Sequence, residues 1–191
     1  MRAALVRSYG APQVLQVEEV EKPKPIPTEV LVRVRAAGAN PIDAYVRSGA
    51  FPLLKPPFIL GWDISGVVEE VVPGVNRFKV GDEVFGMPFF PRAGNGYAEY
   101  VAVPSRQLAR KPAALDHVRA AALPLAGLTA WQSLADVAQV RPGQRVLIHA
   151  AGGGVGHVAV QIAKALGAHV VGTASASKHD FVRGLGADEV I

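Results

Sequence analysis

No stretch narrows the possible folds of this chain more than Ala150-Ala151-Gly152-Gly153-Gly154-Val155-Gly156, a glycine run set directly between an apolar segment, Arg145 to His149, and a segment of helical period. In that second segment Val158, Ile162 and Leu166 recur four residues apart, which predicts the buried stripe of a helix, and Gly167 ends it in the manner of a C-cap. A strand is predicted over His169 to Ala174, a helix over Ser177 to Leu185 closed by Gly186, and a further strand over Asp188 to Ile191. Strand-helix-strand-helix-strand is one mononucleotide-binding half of a doubly wound parallel sheet. In such a unit small residues after the first strand allow a tight turn and bring the backbone close to a pyrophosphate at the helix N-terminus. Ala151, Gly153 and Gly156 occupy those small-residue positions.

The first part of the chain has a different texture. Short β-rich runs, Ala3 to Val6, Val14 to Val20, Val30 to Val34, Ile64 to Val72, Glu83 to Met87 and Tyr97 to Val103, are separated by Gly and Pro, which argues for an all-β barrel or sandwich. Val30, Val32 and Val34 alternate with Leu31, Arg33 and Arg35, so one face of that strand should be apolar and the other largely polar. Ala120 to Leu125 and Gly127 to Val137 read as helices that lead into the second architecture.

The glycine run carries a more specific likeness. Gly143-Gln144, Leu147, Ala151 to Gly156, Gln161 and Lys164 together resemble the signature of the quinone oxidoreductase and zeta-crystallin branch of the medium-chain dehydrogenase/reductase family. The likeness extends through Gly38-Ala39-Asn40-Pro41-Ile42-Asp43-Ala44-Tyr45, Gly61-Trp62-Asp63, Gly81-Asp82-Glu83-Val84, Gly96-Tyr97-Ala98-Glu99-Tyr100 and Gly127-Leu128-Thr129-Ala130. Gly152 departs from it, standing where Ser or Ala is usual. The resemblance implies an α/β plus β architecture: a GroES-like β-barrel over residues 1–123, followed by the first half of a Rossmann domain over residues 124–191. Gly153, Gly154, Val155 and Gly156 would then face the cofactor phosphates beside Ala151, Thr129 would lie near the nicotinamide, and Asn40 and Tyr45 would line the substrate cleft. A homodimer is implied for a full-length form.

Domains of this kind that select NAD place an Asp or Glu about twenty residues after the loop. No acid occurs between Gly152 and His179, and the second strand ends in Thr173-Ala174-Ser175-Ala176-Ser177-Lys178. A missing carboxylate removes repulsion toward a 2′-phosphate, and Ser175 and Lys178 can donate to it, so NADPH is the expected cofactor. Ser175 or Ser177 could equally cap the next helix.

Zinc-dependent relatives use a Cys where this chain reads Gly38-Ala39-Asn40 and a His-Glu pair where it reads Gly61-Trp62-Asp63. The chain contains no cysteine. Asn40 and Trp62 cannot serve as ligands, and His117, His149, His157, His169 and His179 are dispersed, so no metal is expected. Without a Lewis acid the acceptor should be one whose charge delocalises on hydride transfer, a quinone or an α,β-unsaturated carbonyl. An enoyl or alkenal reductase of the same family, and a truncated non-catalytic NADPH-binding or interaction module, are the rivals.

Composition adds exclusions. The net charge of +4 comes from scattered Lys and Arg without a run that could track a phosphate backbone, so no nucleic-acid partner is expected. The N-terminus lacks the apolar core of a signal peptide and no window resembles a membrane span, which leaves the cytoplasm as the expected location. In the usual strand order the three strands read here fill only positions 3, 2 and 1. The 191-residue chain is therefore expected to be truncated inside its second domain and to turn over more slowly than a complete enzyme.

Overall fold

A computed structural model describes residues 1–191, which form two compact units, Met1–Leu125 and Ala126–Ile191. In the first unit a five-stranded antiparallel sheet has the order β7-β3-β5-β6-β8, formed by Tyr100–Pro104, Glu29–Gly38, Asp63–Val71, Glu83–Gly86 and Leu108–Arg110. A three-stranded antiparallel sheet orders β2 (Leu15–Glu19), β1 (Arg2–Val6) and β4 (Phe58–Ile59), and an isolated bridge from Ala3 to Ala98 ties it to the segment before β7. The alternation in β3 is realised: Val30 pairs with Val71 and Val32 with Val68, and both point into a core with Ile64, Val84, Val101 and Val103. Leu31, expected on the polar face, is also buried. Register shifts at Leu31/Val32 and Val34/Ala36 bend the strand, as bulges do. β4 and β8 escaped the sequence reading because two and three residues are too few to display a period.

A second core gathers Val6, Val46, Phe58, Leu60 and Trp62. Val46 comes from α1 (Pro41–Ser48), which has Pro at its first position and ends at Gly49 in the left-handed region, φ 81°. A short helix, α2 (His117–Ala121), has Asp116 as its N-cap, with the carboxylate accepting from the Arg119 amide.

The second unit is built on a parallel three-stranded sheet of order β11-β10-β9, from Glu189–Val190, His169–Gly172 and Arg145–Ile148. This is the expected half of a doubly wound sheet. Its helices are α4 (Gly156–Ala165) and α5 (His179–Gly184). The face that α4 buries differs from the predicted one: Gly156, Ala159, Val160 and Ala163 are buried, while Val158, Ile162 and Leu166 flank the core half-covered. Small residues let the helix axis approach the sheet, and the larger ones then pack at the margins. The segment expected as one helix over Gly127 to Val137 is α3 (Pro124–Trp131), which begins at the unit boundary, followed by a π-helical stretch, Gln132–Val137. The last helix is likewise divided, with a 3₁₀ turn, Ala176–Lys178, preceding α5. No helix is long and apolar enough to cross a membrane.

Candidate functional site

The glycine loop is organised around one of its own carbonyls. Ala150 adopts φ 51°, and its carbonyl accepts the Gly153 amide at 2.8 Å. A Cβ at Gly156 would overlap that carbonyl, so a residue larger than glycine cannot open α4 without moving the turn. Thr173, at the end of β10, fixes the other side: its Oγ1 accepts from the Ala150 amide at 3.1 Å and its carbonyl from the Ala151 amide at 2.9 Å. Ala151 is fully buried, whereas Gly154 and Val155 are exposed. A Cβ at Gly154 would meet nothing. The His157 amide donates to the Gly153 carbonyl at 3.1 Å and the Val158 amide to the Val155 carbonyl at 3.2 Å, which leaves the exposed Gly154-Val155 edge ahead of α4 as the surface that fits a cofactor's phosphates.

Lys178 reaches this loop. Its Nζ donates to the Gly152 carbonyl at 2.9 Å, across twenty-six positions of sequence. Ser175 Oγ lies 3.3 Å from Ser177 Oγ, and the alternative reading of Ser175 as a side-chain cap is not realised at the turn that follows. The histidines near the loop brace it instead of standing idle: His157 Nδ1 lies 2.9 Å from the Gly153 carbonyl, His179 Nε2 3.1 Å from that of Ala174, and His149 Nδ1 3.3 Å from Thr173 Oγ1. Thr129, on α3, is exposed, and its carbonyl accepts from Ser133 Oγ at 2.8 Å.

In the first unit, Asn40 is the N-cap residue of α1. Its amide donates to Asp43 Oδ2 at 2.8 Å and its side-chain Nδ2 to Asp63 Oδ2 at 3.0 Å. Asp63, 1% exposed, also accepts from the Leu125 amide at 2.9 Å through Oδ1. Asp43 accepts from the Gly61 amide at 3.1 Å and from the Tyr97 hydroxyl. Burial pushes the Asp63 carboxyl up to about 6, against the pull of Asn40 and Leu125, and the neighbouring Asp43 charge adds to the rise. Asp43 is also raised, by burial first, and burial followed by the Asp43 charge raises the Tyr97 phenol. Tyr45, by contrast, is 57% exposed on α1. The sequence reading saw Asp63 only as the remnant of a vacated ligand set. The available signal was an acid opening an otherwise apolar strand, Asp63-Ile64-Ser65-Gly66-Val67-Val68.

Trp62 is fully buried, its Nε1 donating to the Arg92 carbonyl at 2.6 Å and its ring set edge-on to Phe90 at 5.6 Å. Position 62 is therefore occupied by a core residue. No group of three or more His, Cys, Asp or Glu side chains stands together so as to hold a metal. His117 links three elements: Nδ1 lies 2.8 Å from the buried Ser65 Oγ and Nε2 3.2 Å from Glu83 Oε1.

Residues 26–113 match the alcohol dehydrogenase GroES-like domain. The whole chain is 42% identical over 200 residues to the chloroplastic quinone-oxidoreductase homolog of Spinacia oleracea, covering 60% of it. It superposes on the quinone oxidoreductase of Coxiella burnetii with a TM-score of 0.92 at 40% identity, covering 100% of this chain and 62% of that one. On the CurK enoyl reductase the TM-score is 0.90 at 33% identity, covering 99% of this chain and 59% of that one. The chain spans 54% to 60% of the length of the first curated relatives it matches.

Proposed function

Because the chain belongs to the medium-chain dehydrogenase/reductase family, in its quinone oxidoreductase branch, we propose that it serves NADPH-dependent reduction of a quinone or an α,β-unsaturated carbonyl without a catalytic metal. The observation that carries the proposal is the glycine loop at the start of α4 with Lys178 brought onto it from the 3₁₀ turn that follows β10, a cation delivered to the exposed edge of the loop. NADPH, when bound, supplies the hydride. Ala151, Gly153, Gly154, Val155 and Gly156 form the floor under its phosphates. Ser175 and Lys178 take the 2′-phosphate, and Thr129 stands near the nicotinamide. Asn40 and Tyr45 orient the acceptor oxygen, Asn40 with the amide hydrogen that Asp63 leaves over. The metal-free reading is supported by Trp62 in the core and by the missing ligand group. Catalysis then rests on position and hydrogen bonding to the developing anion.

Of these acceptors the quinone is the first reading, and the likeness to the CurK enoyl reductase favours the α,β-unsaturated carbonyl, as an enoyl thioester or alkenal, as the second. Oxidation of NADPH followed at 1,4-naphthoquinone, at an alkenal and with neither added separates the two. Turnover with the quinone supports the first reading, turnover with the alkenal alone the second, and binding of NADPH without oxidation by either would count against both.

The cofactor assignment makes a prediction of its own. A charge-assisted hydrogen bond contributes about 1.5–3 kcal/mol, so Lys178→Ala should weaken NADPH binding roughly ten- to a hundredfold and leave NADH nearly unchanged. Fluorescence titration of both cofactors measures this, and equal losses for the two would remove Lys178 from the 2′-phosphate.

A further inference from the structure

The proposed reaction takes Asn40 as a donor and gives no part to the two carboxylates that hold it. Asp43, on α1, accepts from the Asn40 amide, and Asp63, the first residue of β5, accepts from its side-chain Nδ2 at 3.0 Å. Asp63 is brought there by the pairing of β3 with β5, in which Gly38 lies opposite it, two residues before Asn40. An ideal Cβ on Gly38 would lie 2.8 Å from Asp63 Cβ, so a side chain at 38 would push the carboxylate away from the turn that leads to Asn40. The other oxygen of Asp63 accepts from the amide of Leu125, in the first turn of α3, at 2.9 Å. Each oxygen therefore faces an N–H donor, one from the start of α1 and one from the start of α3. An ionised carboxylate only accepts, so the nitrogen end of the Asn40 carboxamide must face it. That arrangement leaves one N–H of Nδ2 uncommitted, whereas the reverse one would set oxygen against oxygen. Held at both oxygens and 1% exposed, Asp63 has little freedom to turn.

We propose that Asp63 is a positioning residue for reduction of the acceptor: anchored on the Leu125 amide by one oxygen, it fixes the Asn40 carboxamide with the other, so that the remaining N–H meets the negative charge developing on the acceptor oxygen. The inference rests on the assignment of Asn40 to the acceptor. It adds that the orientation of the Asn40 amide is set from β5, by a buried residue that does not itself touch the acceptor. A donor held in place before the acceptor arrives needs no reorganisation as the charge develops. Asp43 holds only the backbone of Asn40, which fixes where the residue stands and not which end of its carboxamide points inward.

The test is a double-mutant cycle of Asn40→Ala and Asp63→Asn in the full-length protein, joined by the exchanged pair Asn40→Asp with Asp63→Asn. Turnover of 1,4-naphthoquinone and of an alkenal is measured at saturating NADPH, with the dissociation constant of NADPH by fluorescence titration and thermal unfolding as the check on folding. An amide at 63 has one acceptor atom where two donors arrive, so Asp63→Asn should lower kcat roughly ten- to a hundredfold and change the NADPH constant by less than about twofold. In the Asn40→Ala background, itself slowed by a similar factor, it should have no further effect. In the exchanged pair the new amide donates to the new carboxylate and still accepts from Leu125, so thermal unfolding should return close to that of the unaltered protein. Its turnover should stay low, because no N–H is left at 40 to meet the acceptor. Losses of the same size in both backgrounds would show that Asp63 only supports the fold, and would overturn the proposal. So would full turnover in Asp63→Asn or in the exchanged pair. If Asn40→Ala leaves kcat and KM for both acceptors unchanged, or the unaltered protein reduces neither, the reading on which the proposal rests has failed, a result distinct from failure of Asp63 alone. Should Asp63→Asn fold poorly, the exchanged pair decides by itself: recovered stability with low turnover is the expected result, and recovery of both overturns it.

Discussion

Trp62→Ala should lower the unfolding free energy of the first unit by about 3–5 kcal/mol, the range for removing a large aromatic from a packed core. The indole is fully buried among Val6, Val46, Phe58 and Leu60. Its removal leaves a cavity that these neighbours cannot fill, because Val6 and Phe58 are held opposite one another across β1 and β4. It also leaves the Arg92 carbonyl without its 2.6 Å donor. Equilibrium unfolding in urea, followed by a probe other than tryptophan fluorescence, gives the difference, provided the slope with denaturant is unchanged. A loss below about 1 kcal/mol would mean that Trp62 is not part of the core. Trp62→His should also destabilise, because it places a smaller polar ring in an apolar site.

Asp63 should impose a pH dependence on stability that Asp63→Asn removes. Its carboxyl titrates at about 6 in the folded protein against an ordinary value of 3.8. Below pH 3.8 the group is protonated in both states and its contribution is fully present; between 3.8 and 6 the folded state holds a proton that the unfolded state has released. Stability therefore falls as pH rises through that window and levels off above it. A rise of that order corresponds to roughly 3 kcal/mol. In Asp63→Asn that part of the slope should vanish, leaving the contribution of Asp43, whose carboxyl is also raised. Unfolding free energies from pH 4 to 8 for both proteins provide the comparison, and superimposable slopes would show that Asp63 titrates normally.

These two residues mark where the sequence was legible and where it was not. The glycine loop, the strand-helix alternation after it and the β-rich first part were readable because each is a local pattern with one structural solution. The buried stripe of α4 was misplaced because periodicity locates large apolar residues, and this helix packs through Ala159, Val160 and Ala163. Lys178 was singled out for its charge, and the fold brings it to the loop. Its partner, the Gly152 carbonyl, lies twenty-six residues away, and no local pattern links the two. The pairing of Asp63 with Asn40 spans twenty-three residues and joins a strand to a helix cap, so it too appears only once the chain is folded. His117 was set aside for want of nearby ligands, yet its ring joins Ser65 to Glu83 on the adjacent strands β5 and β6, where Ser65 pairs with Phe85 and Glu83 with Val67.

The turn at Ala150 bears on how this lineage diverges. Gly156 is held to glycine by a carbonyl of its own chain, and Gly153 lies close to the same atom. Both constraints act before any dinucleotide is present. A duplicated gene freed from selection for hydride transfer would go on purging substitutions at 156, because they damage folding as well as binding. Gly154, whose side-chain space is empty, and Lys178, whose ammonium rests on a carbonyl that any residue at 152 supplies, are under no such protection and would drift first. Among descendants of such a chain, loss of the glycine motif would therefore lag behind loss of the activity, and the lysine would be the earlier record of the change.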